Sequence, residues 1–164
     1  MKSGYWTRRL GLFFAELERR GADQSPAMAE IAGALFFGVE EAFEREEDPN
    51  TGTPWADLSD FTKARRKKQG HWPGKKLQVS QAGLASSINS DSGQDFAQVG
   101  TNKVYAPTHQ RGAKKGEFGT GSYKTRQGTF PIPWADIPAR PFLGLSETTA
   151  EEVRTIMARY ISGS

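Results

Sequence analysis

Ile137-Pro138-Ala139-Arg140-Pro141-Phe142-Leu143-Gly144-Leu145-Ser146 runs straight into a helix-forming segment. Each proline fixes its own φ and biases the residue before it toward extended backbone, so Ile137 and Arg140 are held extended and the run is stiff. Phe142 and Leu143 follow, placed to pin the coming helix to a sheet. Arg140, between the prolines, either forks onto a carboxylate of the same chain or touches another subunit; the internal role is favoured. Thr148-Thr149-Ala150-Glu151 reads as a capping box. Beyond it, Val153, Ile156, Met157, Tyr160 and Ile161 share one helical face.

Working outward, residues 5–20 predict a helix, because Trp6, Leu10, Phe13, Phe14 and Leu17 fall on one face; Gly21 ends it. Ser25 is a good N-cap and Pro26 suits a first helical position. Met28, Ile31, Ala32, Leu35, Phe36, Val39 and Phe43 then carry an apolar stripe toward a stop at Asp48-Pro49, and the two helices form a hairpin. Turn residues over 50–54 deliver Trp55 and Leu58, which read as anchors. A short helix through Thr62 and Arg65 follows and breaks between Gln69 and Pro73. Residues 84–100 suggest a β-hairpin around Asp91-Ser92-Gly93, and 104–108 is a further strand candidate.

Residues 111–130 hold five glycines and five bases, with Phe118, Tyr123 and Phe130 as the large apolar groups. Such a stretch buries too little surface to offset its ordering entropy, so a mobile loop that orders on assembly is expected. The order helix, helix, strands, helix argues an α+β fold. It comprises an N-terminal helical hairpin and a C-terminal helix packed on a small antiparallel sheet, with a long basic loop. With 164 residues, a single domain over 1–164 is the simplest organisation.

The hydrophobic fraction of 36% against 25% charged residues permits a globular core without making it rich. No cysteine is present, which excludes disulfides and thiolate metal sites. The first residues lack a signal-peptide pattern, and no apolar run approaches the roughly 20 residues that span a bilayer. A soluble chain made in the cytoplasm, without membrane contact, is expected.

The net charge of +3 conceals segregation. Residues 16–48 hold ten acids against three arginines, residues 60–80 seven bases against Asp60, and residues 103–126 six bases against Glu117. These charges either solvate faces and pair within the chain, or pack identical subunits head to tail, acidic face on basic face.

Signals for catalysis fail on inspection. His71 and His109 stand far apart with no second histidine at helical spacing, so a zinc site is not indicated. His109 reads as a packed residue. Gly70-His71-Trp72-Pro73-Gly74-Lys75 falls one residue short of a phosphate loop, and Pro73 removes an amide that such a loop needs. Ser122 is not the central residue of a G-x-S-x-G elbow. Glu40-Glu41 and Glu46-Glu47 lie toward a solvated helix end, without the contrasting environments of paired catalytic acids. No cofactor, metal or catalytic residue is indicated. The alternative with substance is a DNA-binding accessory protein using basic loops 63–76 and 111–126, with Trp72 among the cations; no recognition motif accompanies them.

Several short signatures occur in a fixed order: Trp55, Leu58, Thr62, Arg65; Gly83, Leu84, Ser87, Ile88; Tyr105, Ala106, His109, Gln110, Gly112; and Pro138 through Gly144. In that order the chain resembles the Mu-type phage virion morphogenesis family, the tail-completion proteins of tailed phages. It departs from the family pattern in its long basic stretch 111–130 and in Gln81-Ala82-Gly83. The resemblance implies a structural protein of the virion tail or neck that completes the tail and joins it to the head, as a ring-forming or ring-binding subunit. Its partners would be other tail and neck proteins and further copies of itself, with possible contact with passing DNA. Contacts are expected from Arg65, Arg66, Lys67, Lys68, Arg111, Lys114, Lys115, Lys124, Arg126 and Arg140. Trp55, Leu58, Tyr105, His109, Pro138, Pro141, Phe142 and Leu143 are expected as structural anchors.

Overall fold

The computed structural model describes residues 3–79, 82–117, 122–125, 128–131 and 136–163; for residues 3–10, 13, 122–125 and 129–131 it describes the backbone only. The helices are α1 (Ser3–Ala22), α2 (Ser25–Arg45), α3 (Asp60–Lys68), α4 (Ala106–Arg111) and α5 (Glu147–Ser162). The strands are β1 (Ile88–Ser92), β2 (Ala97–Thr101), β3 (Ser122–Thr125) and β4 (Gly128–Pro131). They form two two-stranded sheets, β1 with β2 and β3 with β4. The chain divides into two compact units: Met1–Gly38, Asn89–Gly100 and Leu145–Ser164 form the first, Val39–Ile88 and Thr101–Gly144 the second.

In the first unit, Ala27, Ile31 and Ala34 of α2 bury against Ile156 of α5. Met28, Leu35, Ala97, Val153, Met157 and Tyr160 pack around them. The apolar face predicted for α5 is therefore the buried one, except that Ile161 is exposed. The close approach of α2 and α5 shows at Gly38, where a Cβ would lie 2.7 Å from Thr149 Oγ1. The cap of α5 differs from the Thr148–Glu151 box expected: Ser146 is the N-cap, and its Oγ accepts from Thr149 N at 3.1 Å. Glu151 instead meets Arg154, at 2.7 Å. Gly163 ends the helix in the left-handed region at φ 77°. Near that end Arg20 of α1 donates to Tyr160 O at 2.9 Å, and the Tyr160 hydroxyl donates to Asp23 O. The described contacts of α1 thus include α5 and, through Gln94 donating to Ala22 O, the turn between β1 and β2.

The second unit is built on aromatic packing. Phe142 is fully buried, with its ring centroid 5.3 Å from Phe43; Phe43 meets Trp55 edge-on at 5.7 Å. Such pairs contribute about 0.5–1.5 kcal/mol each beyond their burial. Trp55 reaches Phe43 because α2 stops early. Glu46 takes a positive φ of 56°, and its carbonyl accepts Trp55 N at 2.7 Å across a turn tied by Asp48.

Two expectations need correction here. Residues 104–108 are not a strand; α4 begins at Ala106 with Pro107 in its first turn, where a missing N–H costs nothing. Val104, counted toward the strand, is 94% exposed. The stretch 111–130 is not uniformly irregular, since β3 and β4 pair antiparallel with Tyr123 opposite Phe130 and Lys124 opposite Thr129. The predicted hairpin over 84–100 does form, as β1 and β2, entered through a short 3₁₀ turn at Ala85–Ser87.

Phe142→Ala empties the centre of the second unit and is expected to cost about 3–5 kcal/mol, the range for a buried Phe. A thermal melt reads it directly, and a midpoint equal to the parent's refutes the packing described.

Candidate contact surface

The cations that the sequence places together are sorted by the fold into two populations. Arg66 and Arg140 point inward, 8% and 5% exposed. Arg140 donates through Nε to Ala56 O at 2.9 Å and through Nη2 to Asp57 O at 2.8 Å. Arg66 donates to Lys75 O at 2.8 Å and Lys76 O at 2.5 Å. Both fork onto main-chain carbonyls, not the carboxylate that sequence reasoning favoured for Arg140. Burial lowers the pKa of each; for Arg66 the neighbouring charge of Arg140 adds to the effect. A guanidinium tolerates this because it stays charged and its planar fork holds two acceptors.

Around Arg140 the Pro-rich run is fastened from several sides. Arg140 N donates to His109 O at 2.7 Å, and the Trp55 indole donates to Pro141 O at 2.6 Å. Gln110, in the last turn of α4, accepts from Phe142 N and Leu143 N at 3.0 Å each and donates to Leu143 O at 2.7 Å. One amide side chain thus satisfies three backbone groups. Gln110 stood in the motif string, but nothing in the sequence revealed this role. Gly112 completes the arrangement at φ 75°; a Cβ there would sit 2.7 Å from Ile137 O, where Ala113 and Ile137 form an antiparallel bridge.

Among the expected anchors, Trp55, Leu58 and Phe142 are buried, while Pro141, Leu143 and His109 are half-buried. Tyr105 and Pro138 are exposed, although Tyr105 stacks edge-on against His109 at 5.9 Å. His109 Nδ1 is buried without a hydrogen-bond partner among the described residues. Burial, and then the nearby charge of Arg140, lowers the His109 pKa.

Several other cations are committed to acids. Lys63 meets Asp57 at 2.6 Å, Lys75 meets Glu44, and Lys76 meets Glu46 at 3.0 Å. Burial opposes ionisation of Glu46, but hydrogen bonds from the Lys76 amide and ammonium outweigh it and lower the pKa. Arg65, Lys67, Lys68 and Arg111 are exposed and carry no ion pair among the described residues. Lys114 and Lys115 are also exposed; Asp136 accepts from the Lys114 ammonium at 3.3 Å and the Lys115 amide at 2.8 Å. Lys124 lies in β3 with only its backbone described, and Arg126 lies outside the described residues. Beside the Ala113–Ile137 bridge opens a groove of about 720 Å³, whose lining includes Arg111, Lys114, Glu117, Asp136, Ala113 and Ile137. No cluster of metal-ligating side chains occurs among the described residues, and no described helix is long and apolar enough to cross a membrane.

The buried Arg66 and Arg140 thus stand apart from Arg65, Lys67, Lys68 and Arg111, which are exposed without an ion pair among the described residues. The model of the phage virion morphogenesis family matches residues 7–162. Over 157 residues the chain is 36% identical to "Putative capsid assembly protein G" of Escherichia phage Mu, covering 96% of this chain and 91% of that protein. It is 35% identical over 133 residues to "Mu-like prophage FluMu G protein 1" of Haemophilus influenzae, covering 80% of this chain and 75% of that protein. No solved structure matches. The chain belongs to the phage virion morphogenesis family. It is a structural, non-catalytic phage protein of tail completion and head–tail joining.

The lowered His109 pKa has a definite sign. The unfolded chain takes up a proton near the ordinary value of 6.5 and the folded chain resists it. The His109 contribution is therefore complete above that value and is lost as pH falls below it. Urea melts at about pH 7.5 and 5.5 are expected to show the parent weaker at the lower pH, and His109→Gln less sensitive. Equal pH sensitivity in the two proteins contradicts this.

Proposed function

We propose that the protein acts in the virion tail or neck, at the tail end that meets the head, as a subunit that forms a ring or is added to one. The name of the phage Mu relative speaks of capsid assembly. A joint between head and tail accommodates both that name and a tail role, because it touches both structures.

The observation that carries the reading is the groove beside the Ala113–Ile137 bridge, whose charged lining is Arg111 and Lys114 with Glu117 and Asp136, and the exposed Lys115 next in sequence to Lys114. On α2, Glu40 and Glu44 are exposed, and Glu44 remains accessible although it pairs with Lys75. Arg111, Lys114 and Lys115 against the exposed acids of α2 would make a heterologous contact, and repeated heterologous contacts close into rings when the rotation permits. Charge complementarity of this kind steers encounter and fixes register more than it adds affinity. Within the chain, the exposed Lys114–Asp136 pair contributes little, so exchanging it for an intersubunit partner is inexpensive. Lys124 and Arg126 belong to the same proposed partner-facing set, whereas Arg66 and Arg140 act inside the subunit.

Disrupting the gene in the encoding phage is expected to leave filled heads apart from tails, or tails of abnormal length, in electron micrographs of lysates. Complementation with Arg111→Gln, Lys114→Gln and Lys115→Gln combined is expected to restore particles poorly while the purified variant melts like the parent. Intact, infectious particles from the disrupted phage overturn the reading.

A further inference from the structure

Helix α3 carries a feature that subunit packing does not use. Its last turn is Arg65-Arg66-Lys67-Lys68, and the fold buries Arg66 alone. Arg65, Lys67 and Lys68 are left exposed, without an ion pair among the described residues. Asp57 is engaged by Lys63, Glu44 by Lys75 and Glu46 by Lys76, while Asp60, at the opposite end of the same helix, is exposed. Cations at a helix C-terminus offset the helix dipole, which gives one reason for their presence. That reason does not extend to Phe61 in the first turn, which is 65% exposed. Phe61, Arg65 and Lys68 stand at i, i+4 and i+7 and so share one face, about 10 Å long at the rise of an α-helix. Lys67 flanks them.

We propose that this face of α3 binds the phosphate backbone of nucleic acid, with Arg65, Lys67 and Lys68 on phosphates and Phe61 against a sugar or an unpaired base. An acidic protein surface would satisfy the cations but gives no use to an exposed aromatic in line with them, whereas cations interleaved with an aromatic suit a nucleic-acid strand. The phosphate contact is common to duplex and single strand; Phe61 separates them, since stacking requires an unpaired base. The setting, a surface that meets the genome at the head–tail joint, rests on the function proposed above; the binding itself does not.

The test uses the purified full-length protein with a short fluorescent DNA duplex and the corresponding single strand, titrated between about 50 and 200 mM salt. The variant Arg65→Gln, Lys67→Gln, Lys68→Gln is expected to lower the slope of log affinity against log salt by about 2–3. The charge-conserving variant Arg65→Lys, Lys67→Arg, Lys68→Arg is expected to keep the parental slope. If the ligand is single-stranded, Phe61→Ala weakens that strand about fivefold or more at unchanged slope. If it is duplex, Phe61→Ala alters duplex binding little and the triple variant alone reduces it. Absence of binding at the lowest salt overturns the proposal, as does a triple variant that melts like the parent and keeps its slope. A triple variant that binds DNA normally but no longer self-associates in sedimentation assigns the helix to a subunit contact and also overturns it. In each of these failures a positive gene-disruption phenotype still leaves the joining role standing.

Discussion

Arg140 is a buried cation whose acceptors among the described residues are main chain, and the second unit is registered to it. Removing a guanidinium from water is costly, and only well-placed acceptors recover that cost. Ala56 O and Asp57 O provide them, which fixes the chain just after Trp55. The same residue's amide is held by His109 O, which fixes the end of α4. Pro138 and Pro141 limit the conformations available to the run before folding, so less entropy is lost in setting it. Phe142 then enters the aromatic cluster with Phe43 and Trp55, and Gln110 closes the remaining backbone groups. Packing and polar satisfaction thus depend on one another: the cluster shields the bonds, and the bonds position the cluster.

Much of this was legible in the chain, for definite reasons. The stripe of α2 and the face of α5 follow helical periodicity, which survives any tertiary context that buries one side. The stiffness before α5 follows from the two prolines. Trp55, Leu58 and Phe142 read as anchors because large apolar groups beside turn residues have few other uses. What stayed hidden depends on partners that residue type does not name. Arg140 offered a fork, and no spacing rule distinguishes a carboxylate from two carbonyls 83 and 84 residues away. Val104 and Thr108 suggested a strand, but Pro107 turned the segment into a helix start. Thr148 had the right chemistry for a cap, and Ser146 took the place two residues earlier.

Charge shows the same division between what composition reveals and what only the fold decides. The count of bases between residues 60 and 80 marks the region without saying which cations are available. The fold commits Arg66 to carbonyls and Lys63, Lys75 and Lys76 to acids, leaving Arg65, Lys67 and Lys68 outside. Those three are exposed and carry no ion pair among the described residues. Neutralising the committed cations would remove bonds inside the subunit, whereas neutralising the exposed ones would leave those bonds intact.

The second unit depends most on the Arg140–Leu143 run being a rigid interior element. Native-state hydrogen exchange on the unmodified protein tests it most directly. The amides of Arg140, Phe142 and Leu143, donors to His109 O and Gln110 Oε1, are predicted to exchange only through global unfolding, at the rate set by the protein's overall stability. Exchange of these amides through local opening, well below the global free energy, would contradict it.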